Sequence, residues 1–180
     1  ARAVKYGVTK DYVLNLAVVL PSGEIIWTGA NTLNNSTGYN LTQLMVGSEG
    51  TLGVITKIVM KLLPKNSHTI LMLVPFFNAN QACEAVAKIF HAGIVPSALE
   101  FMERDAIDWT LKYVDSVNVE IRDEIQAHLL IEVDGNYPEI LFNEAEKIST
   151  VLEQFEIDEI LFSDTEDQKN ALWKLRRAVG

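Results

Sequence analysis

The stretch PEILFNEAEKISTVLEQF, residues 138–155, carries Leu141, Ala145, Ile148, Leu152 and Phe155 at steps of four and three. That spacing places side chains on one face of an α-helix. The stretch lies between AHLLIEVDG (127–135) and DEILFS (158–163), short apolar runs that read as strands. The same order occurs upstream. TILMLVPFF reads as a strand, NQACEAVAKIFHAG as a helix with Ala82, Ala85, Val86, Ile89 and Phe90 on one face and Gly93 as its stop, and VPSALEFME as a strand. Two strand–helix–strand units demand a sheet with helices laid against it. The reading is an α+β fold, an antiparallel sheet with helices on one face.

Between these units RDAIDWTLKYV reads as a short helix and DSVNVEIRDEIQ (115–126) as an exposed polar loop. TEDQKNALWKLRRAV closes the chain as a helix, acidic in its first turn and basic in its last, as the helix dipole favours. The first third differs. YVLNLAVVL and EIIWTG form a hairpin around the turn Pro21–Gly23, ANTLNNSTGYN is a loop, LTQLMV a short helix, and GVITKIVMKLLP a strand ended by Pro64. PKNSH (64–68) reads as a linker, giving segments 1–65 and 66–180.

Hydrophobic residues make up 48% and charged residues 22% of the 180, enough apolar content for a real core. The net charge of −9 argues against a nucleic-acid surface, which requires clustered Lys and Arg. No apolar run approaches the roughly 20 residues that span a bilayer, and the chain opens, at Ala1, without a secretory leader pattern. The single cysteine, Cys83, excludes an internal disulfide and fits a reducing, cytoplasmic setting. It reads as a small buried or half-buried helix residue. His68, His91 and His128 are scattered without ligand spacing, so no metal site is assigned and each reads as a surface or satisfied residue.

GSEGTLGVIT (47–56) is the least ordinary passage, with three glycines, a lone carboxylate and then a strand. Missing side chains let a ligand lie against main-chain N–H and C=O groups, and Glu49 could accept hydrogen bonds from a ribose or an amide. The stretch matches neither the dinucleotide-binding nor the phosphate-loop pattern, and from spacing alone a turn before a strand is the commoner reason for such glycines.

In sequence order, YGVTKDYVLNLAVVLPSGEII, STGYNLTQLMVGSEGTLGVITKIVMKLLPK, SALEFME and LWKLRR resemble the FAD-linked oxidases of the vanillyl-alcohol-oxidase superfamily. Within it they are most similar to the D-2-hydroxyacid group: glycolate oxidase large subunit, D-lactate dehydrogenase and D-2-hydroxyglutarate dehydrogenase. The resemblance covers nearly the whole chain. It implies that 1–65 is the C-terminal part of a PCMH-type FAD-binding domain. It also implies that 66–180 is the N-terminal part of the cap, or substrate, domain, with a ferredoxin-like sheet. Glu49, Gly50, Thr51, Leu52, Gly53, Val54 and Ile55 would then lie along FAD, largely through backbone. Arg176 would bind the substrate carboxylate within a W-x-L-R motif that Trp173 and Leu175 complete.

The implied reaction is oxidation of a D-2-hydroxy acid to its 2-oxo acid. The family's pyrophosphate loop would lie upstream, and its His-containing segment, with the catalytic base, beyond Gly180. The isolated chain is therefore expected to be inactive and to bind FAD weakly or not at all. Asn34 stands where relatives often carry a basic residue before T-G-Y. Strand surface left bare leads to an expectation of self-association, as a homodimer or larger. The alternative reading is a non-catalytic ferredoxin-like module for ligand binding or assembly.

Overall fold

The computed structural model describes residues 2–36, 38–113, 121–163 and 165–179. Its contacts divide into two units, Gly7–Lys65 and Asn66–Gly180, the second joined by Ala1–Tyr6. The short helix α1 (Ala3–Tyr6) thus belongs with the second unit although it opens the chain. Lys5 Nζ reaches Asp134 Oδ1 at 2.7 Å and the Tyr6 hydroxyl donates to Asp134 Oδ2 at 2.6 Å.

In the Gly7–Lys65 unit, β1 (Val13–Val19) is the middle strand of a three-stranded antiparallel sheet, flanked by β2 (Ile25–Trp27) and β3 (Val54–Met60). The β1–β2 turn closes with Gly23 N–H on the Leu20 carbonyl, and Gly23 has φ +86°. Helix α2 (Leu41–Met45) starts at Asn40, whose side chain accepts from Gln43 N–H. Leu16, Val18 and Met45 form a small buried cluster. Buried Asn15 uses its carbonyl oxygen to accept from the Gly29 and Leu16 N–H groups.

The Asn66–Gly180 unit is built on a four-stranded sheet ordered β5 (Ala98–Glu103), β6 (Ala127–Gly135), β4 (His68–Phe76), β7 (Leu161–Ser163), with every neighbouring pair antiparallel. Numbered in chain order, the strands run 2-3-1-4, the ferredoxin-like arrangement. Helices α3 (Ala79–His91) and α5 (Pro138–Leu152) cover one face. The two-residue period of a strand decides which residues they meet. Ile70, Met72, Val74 and Phe76 of β4 and Ala127, Leu129, Ile131 and Val133 of β6 all join that core.

Helices on a single face account for only half of this unit. Helices α4 (Arg104–Tyr113) and α6 (Glu166–Val179) pack on the opposite face, where Leu71, Leu73, Met102, Ile107, Leu130, Leu172 and Leu175 form a second core. The reason is topological. The two helices inside strand–helix–strand units share one side, and the helices outside them are free to cover the other. The strand AHLLIEVDG is therefore buried on both faces from Ala127 to Val133.

Smaller expectations also shift. Phe90 lies at the rim of the α3 stripe and is exposed, and Cys83 points outward and is exposed. Residues 115–120 of the polar excursion fall outside the described residues, but Ile125 is buried and Ile121 half-buried against the second core. No helix among the described residues is long and apolar enough to cross a membrane.

Candidate functional site

The turn from Gly47 to Gly53 explains its own glycines. Gly47 and Gly50 have φ +86° and +79°, a left-handed region that glycine enters without Cβ strain. Glu49 has φ +51°, so a non-glycine residue holds that conformation as well. Thr51 closes the turn twice on the Ser48 carbonyl, by its N–H at 3.0 Å and its hydroxyl at 2.6 Å.

Gly53 answers to a different constraint. A Cβ there would stand 2.7 Å from Val18 Cγ1 and 2.8 Å from the Val19 carbonyl oxygen. Close approach to β1 therefore demands this glycine whatever else the segment does. Gly53→Ala is expected to destabilise the chain by about 1–3 kcal/mol through overpacking, read as a lower urea midpoint without flavin. An unchanged midpoint would contradict the steric argument.

The bare backbone also stays open to the outside. A Cβ at Gly47 or Gly50 would meet nothing within 4 Å. Glu49, Thr51, Leu52, Val54 and Ile55 are exposed. β3 is an edge strand, paired on one side with β1 and by no strand on the other among the described residues.

In the other unit, Arg176 on the last turn of α6 is half-buried, and its Nε donates to Glu100 Oε2 at 2.8 Å. One turn earlier, Trp173 Nε1 donates to Glu132 Oε2 at 3.1 Å. Glu132 is a carboxylate inside the sheet, 3% exposed, and it also accepts from Ser97 Oγ at 3.0 Å and Arg2 Nη2 at 3.2 Å. The Arg2 guanidinium lies 5.8 Å from the Trp173 ring centroid. Burial alone would raise the Glu100 carboxyl, yet the hydrogen bonds it accepts, that of Arg176 among them, hold it below its ordinary value.

Asp134, two residues along β6 from Glu132, is likewise held below the ordinary carboxylate value. Burial opposes that shift, and hydrogen bonds from Lys5 and Tyr6 outweigh it. Burial and then the bond to Asp134 push the Tyr6 phenol up to about 12.

None of Glu100, Glu132, Asp134 or Tyr6 stood out in the sequence as a site residue. The signal was nonetheless available. His128, Glu132 and Asp134 fall at even spacing in LLIEVD and its flanks, hence on one sheet face, in a strand otherwise apolar.

His128 is neither a surface residue nor a fully hydrogen-bonded one. It is 2% exposed, and its Nδ1 has no hydrogen-bond partner among the described residues. Burial, reinforced by the Arg104 charge, pushes the imidazole down to about 4. Unfolded, it titrates near about 6.5. Below that pH the unfolded chain binds a proton that the folded chain refuses. The stability this residue permits is therefore complete above pH 6.5, falls as the pH drops toward 4, and is constant below. The loss amounts to about 3 kcal/mol. Urea unfolding at pH 7 and pH 4.5 should show this extra loss in the native chain and not in His128→Gln. Parallel pH profiles for the two proteins would refute it. His68 and His91 are exposed, and no group of three or more His, Cys, Asp or Glu among the described residues is placed to hold a metal ion.

The model of the family "FAD linked oxidases, C-terminal domain" matches residues 65–180. The chain belongs to this family. The FAD-linked oxidase chain is 39% identical over 181 residues to a D-lactate dehydrogenase of Anaerostipes hadrus, covering 99% of the chain and 38% of that relative. It is 37% identical to the glycolate oxidase subunit GlcD of Bacillus subtilis, covering 99% of the chain and 37% of that relative. It therefore spans under two fifths of the length of these relatives. Among solved structures it is similar to alkyldihydroxyacetonephosphate synthase, with TM-score 0.69, 20% identity, and 98% of the chain and 33% of that structure covered. It is also similar to p-cresol methylhydroxylase, with TM-score 0.62, 14% identity, and 89% and 36% covered. At such identity these two likenesses concern the fold, and they agree with its mixture of helices and antiparallel sheets.

Proposed function

We propose that the chain is part of an FAD-dependent oxidoreductase that oxidises a D-2-hydroxy acid, such as glycolate or D-lactate, to the 2-oxo acid. The observation that carries the proposal is Arg176. Its Nε is fixed on Glu100, and its Nη1 and Nη2 are bonded to no described group. Such an edge can give a carboxylate two parallel charge-assisted hydrogen bonds. The similarity to a D-lactate dehydrogenase and a glycolate oxidase subunit supports a hydroxy acid as the bearer of that carboxylate.

In this reading residues 1–65 are the C-terminal part of the FAD-binding domain and 66–180 the N-terminal part of the cap domain. Glu49, Gly50, Thr51, Leu52, Gly53, Val54 and Ile55 hold the flavin. The open backbone at Gly50 and the unpaired edge of β3 fit a flat ring system lying against main chain. FAD, when bound, supplies the two-electron acceptor for the hydride that leaves Cα. Arg176 holds the acid so that its Cα–H keeps one orientation through the reaction. No residue of this chain is assigned to take the hydroxyl proton. The exposed Ile25, Trp27, Val54, Ile58 and Met60 support self-association through the three-stranded sheet.

The test is anaerobic mixing of the flavin-loaded full-length protein with D-lactate, glycolate and L-lactate. Bleaching of the flavin absorption by D-lactate or glycolate, with L-lactate much slower, is the expected result. No bleaching by any 2-hydroxy acid would overturn the proposal.

A further inference from the structure

Charged side chains inside a sheet are costly unless paired, yet the α6 face of β5 and β6 holds Glu100 and Glu132. Glu100 lies opposite Leu130, and Glu132 opposite Ala98, so the two carboxylates stand diagonally on one face. Glu132 is 3% exposed and the Glu100 side chain 11% exposed. Each receives one residue of α6, Trp173 on Glu132 and Arg176 on Glu100. Those two are three apart and project from the same helical face, while Leu172 and Leu175 beside them are buried in the second core. The helix is thereby locked in rotation as well as in position.

Arginine can address a carboxylate through either of two edges, one containing Nε and one made of Nη1 and Nη2. The bond to Glu100 occupies the first and fixes the plane of the guanidinium. What remains is a single edge in a single orientation. We infer that Glu100 is a positioning residue for the substrate: it holds Arg176 so that only the Nη1–Nη2 edge meets the incoming carboxylate. This inference rests on the proposed function, since it takes Arg176 as the carboxylate-binding group. Its price in charge is that Glu100 offsets part of the attraction Arg176 exerts. A role in orientation therefore explains the pair better than a role in raw affinity.

The prediction is read in the flavin-loaded full-length protein, with D-lactate and glycolate as probes. Glu100→Asp keeps the charge but shortens the side chain by one methylene, which displaces the guanidinium. A displacement near 1 Å costs up to about 100-fold in a positioned reaction. Glu100→Asp should lower kcat/KM by about 10-fold or more, with flavin content and thermal midpoint near native values. Glu100→Gln keeps an oxygen of the same reach to accept from Nε, and should stay within about 3-fold of native kcat/KM.

An unchanged kcat/KM in Glu100→Asp overturns the inference. So does a fall in kcat/KM matched by equal losses of midpoint and flavin in both variants, which would make Glu100 merely structural. Arg176→Lys is measured beside them. If it abolishes turnover while Glu100→Asp is native-like, only the positioning role fails. If it too is native-like, the carboxylate-binding reading fails and the inference with it.

Discussion

Arg176→Lys in the full-length protein should lower kcat/KM for a D-2-hydroxy acid by about 100-fold or more, although the positive charge is retained. The expectation follows from shape. Lysine offers a compact ammonium that cannot bond a carboxylate through two parallel donors and at the same time donate a third bond to Glu100. Losing one charge-assisted hydrogen bond of about 1.5–3 kcal/mol already corresponds to roughly 10- to 100-fold, and the orientation of the acid is lost besides. Steady-state kinetics with D-lactate and glycolate provide the measurement. The fall should appear with flavin content unchanged, because the segment assigned to the flavin runs from Glu49 to Ile55. A loss under 3-fold would remove Arg176 from the substrate site.

The largest stability effect should come from the middle of the four-stranded sheet. Ile131 on β6 is fully buried, pairs with Met72 on one side and Leu99 on the other, and packs into the core beneath α3 and α5. Met72 is itself held between β6 and β7, so it cannot collapse into the space that Ile131→Ala leaves. Substitutions of this kind cost about 2–5 kcal/mol, against a total stability of about 5–15 kcal/mol for a domain. Urea unfolding should place the variant's midpoint far below the native one, and a change under 1 kcal/mol would contradict the packing described. Ile140, exposed on the outer side of α5, serves as the control. Ile140→Ala should shift stability by less than about 0.5 kcal/mol.

Helix α5 was legible because its apolar spacing is a local property. Leu141, Ala145, Ile148 and Leu152 are buried as the four-and-three spacing requires. The hairpin β1–β2 was legible for the same reason, since Pro21 and Gly23 determine its turn whatever lies around it. Glycines were legible as exceptions but not as causes. The spacing in GSEGTLGVIT could not separate a ligand wall from a tight turn, whereas coordinates separate Gly50, held by its φ, from Gly53, held by the Val19 carbonyl. The polar face of β6 was half legible. Even spacing groups His128, Glu132 and Asp134, but says nothing of who answers them.

What the sequence determined alone is therefore the inventory: which segments are strands and helices, which face of each helix is apolar, and the family to which the W-x-L-R helix and the EGTLGVI turn belong. The elements and their apolar faces depend on spacing within about ten residues, where chain geometry leaves few choices, and the family rests on the resemblance of whole motifs. Tertiary structure alone decided that helices cover both faces of the four-stranded sheet, that His128 is buried without an Nδ1 partner among the described residues, and that Arg176 is anchored on Glu100 and Trp173 on Glu132. Each joins groups distant in sequence, 76 residues apart for the Arg176–Glu100 bond. No local pattern encodes such a pairing, because it exists only once strand order has brought β5 and β6 beneath α6.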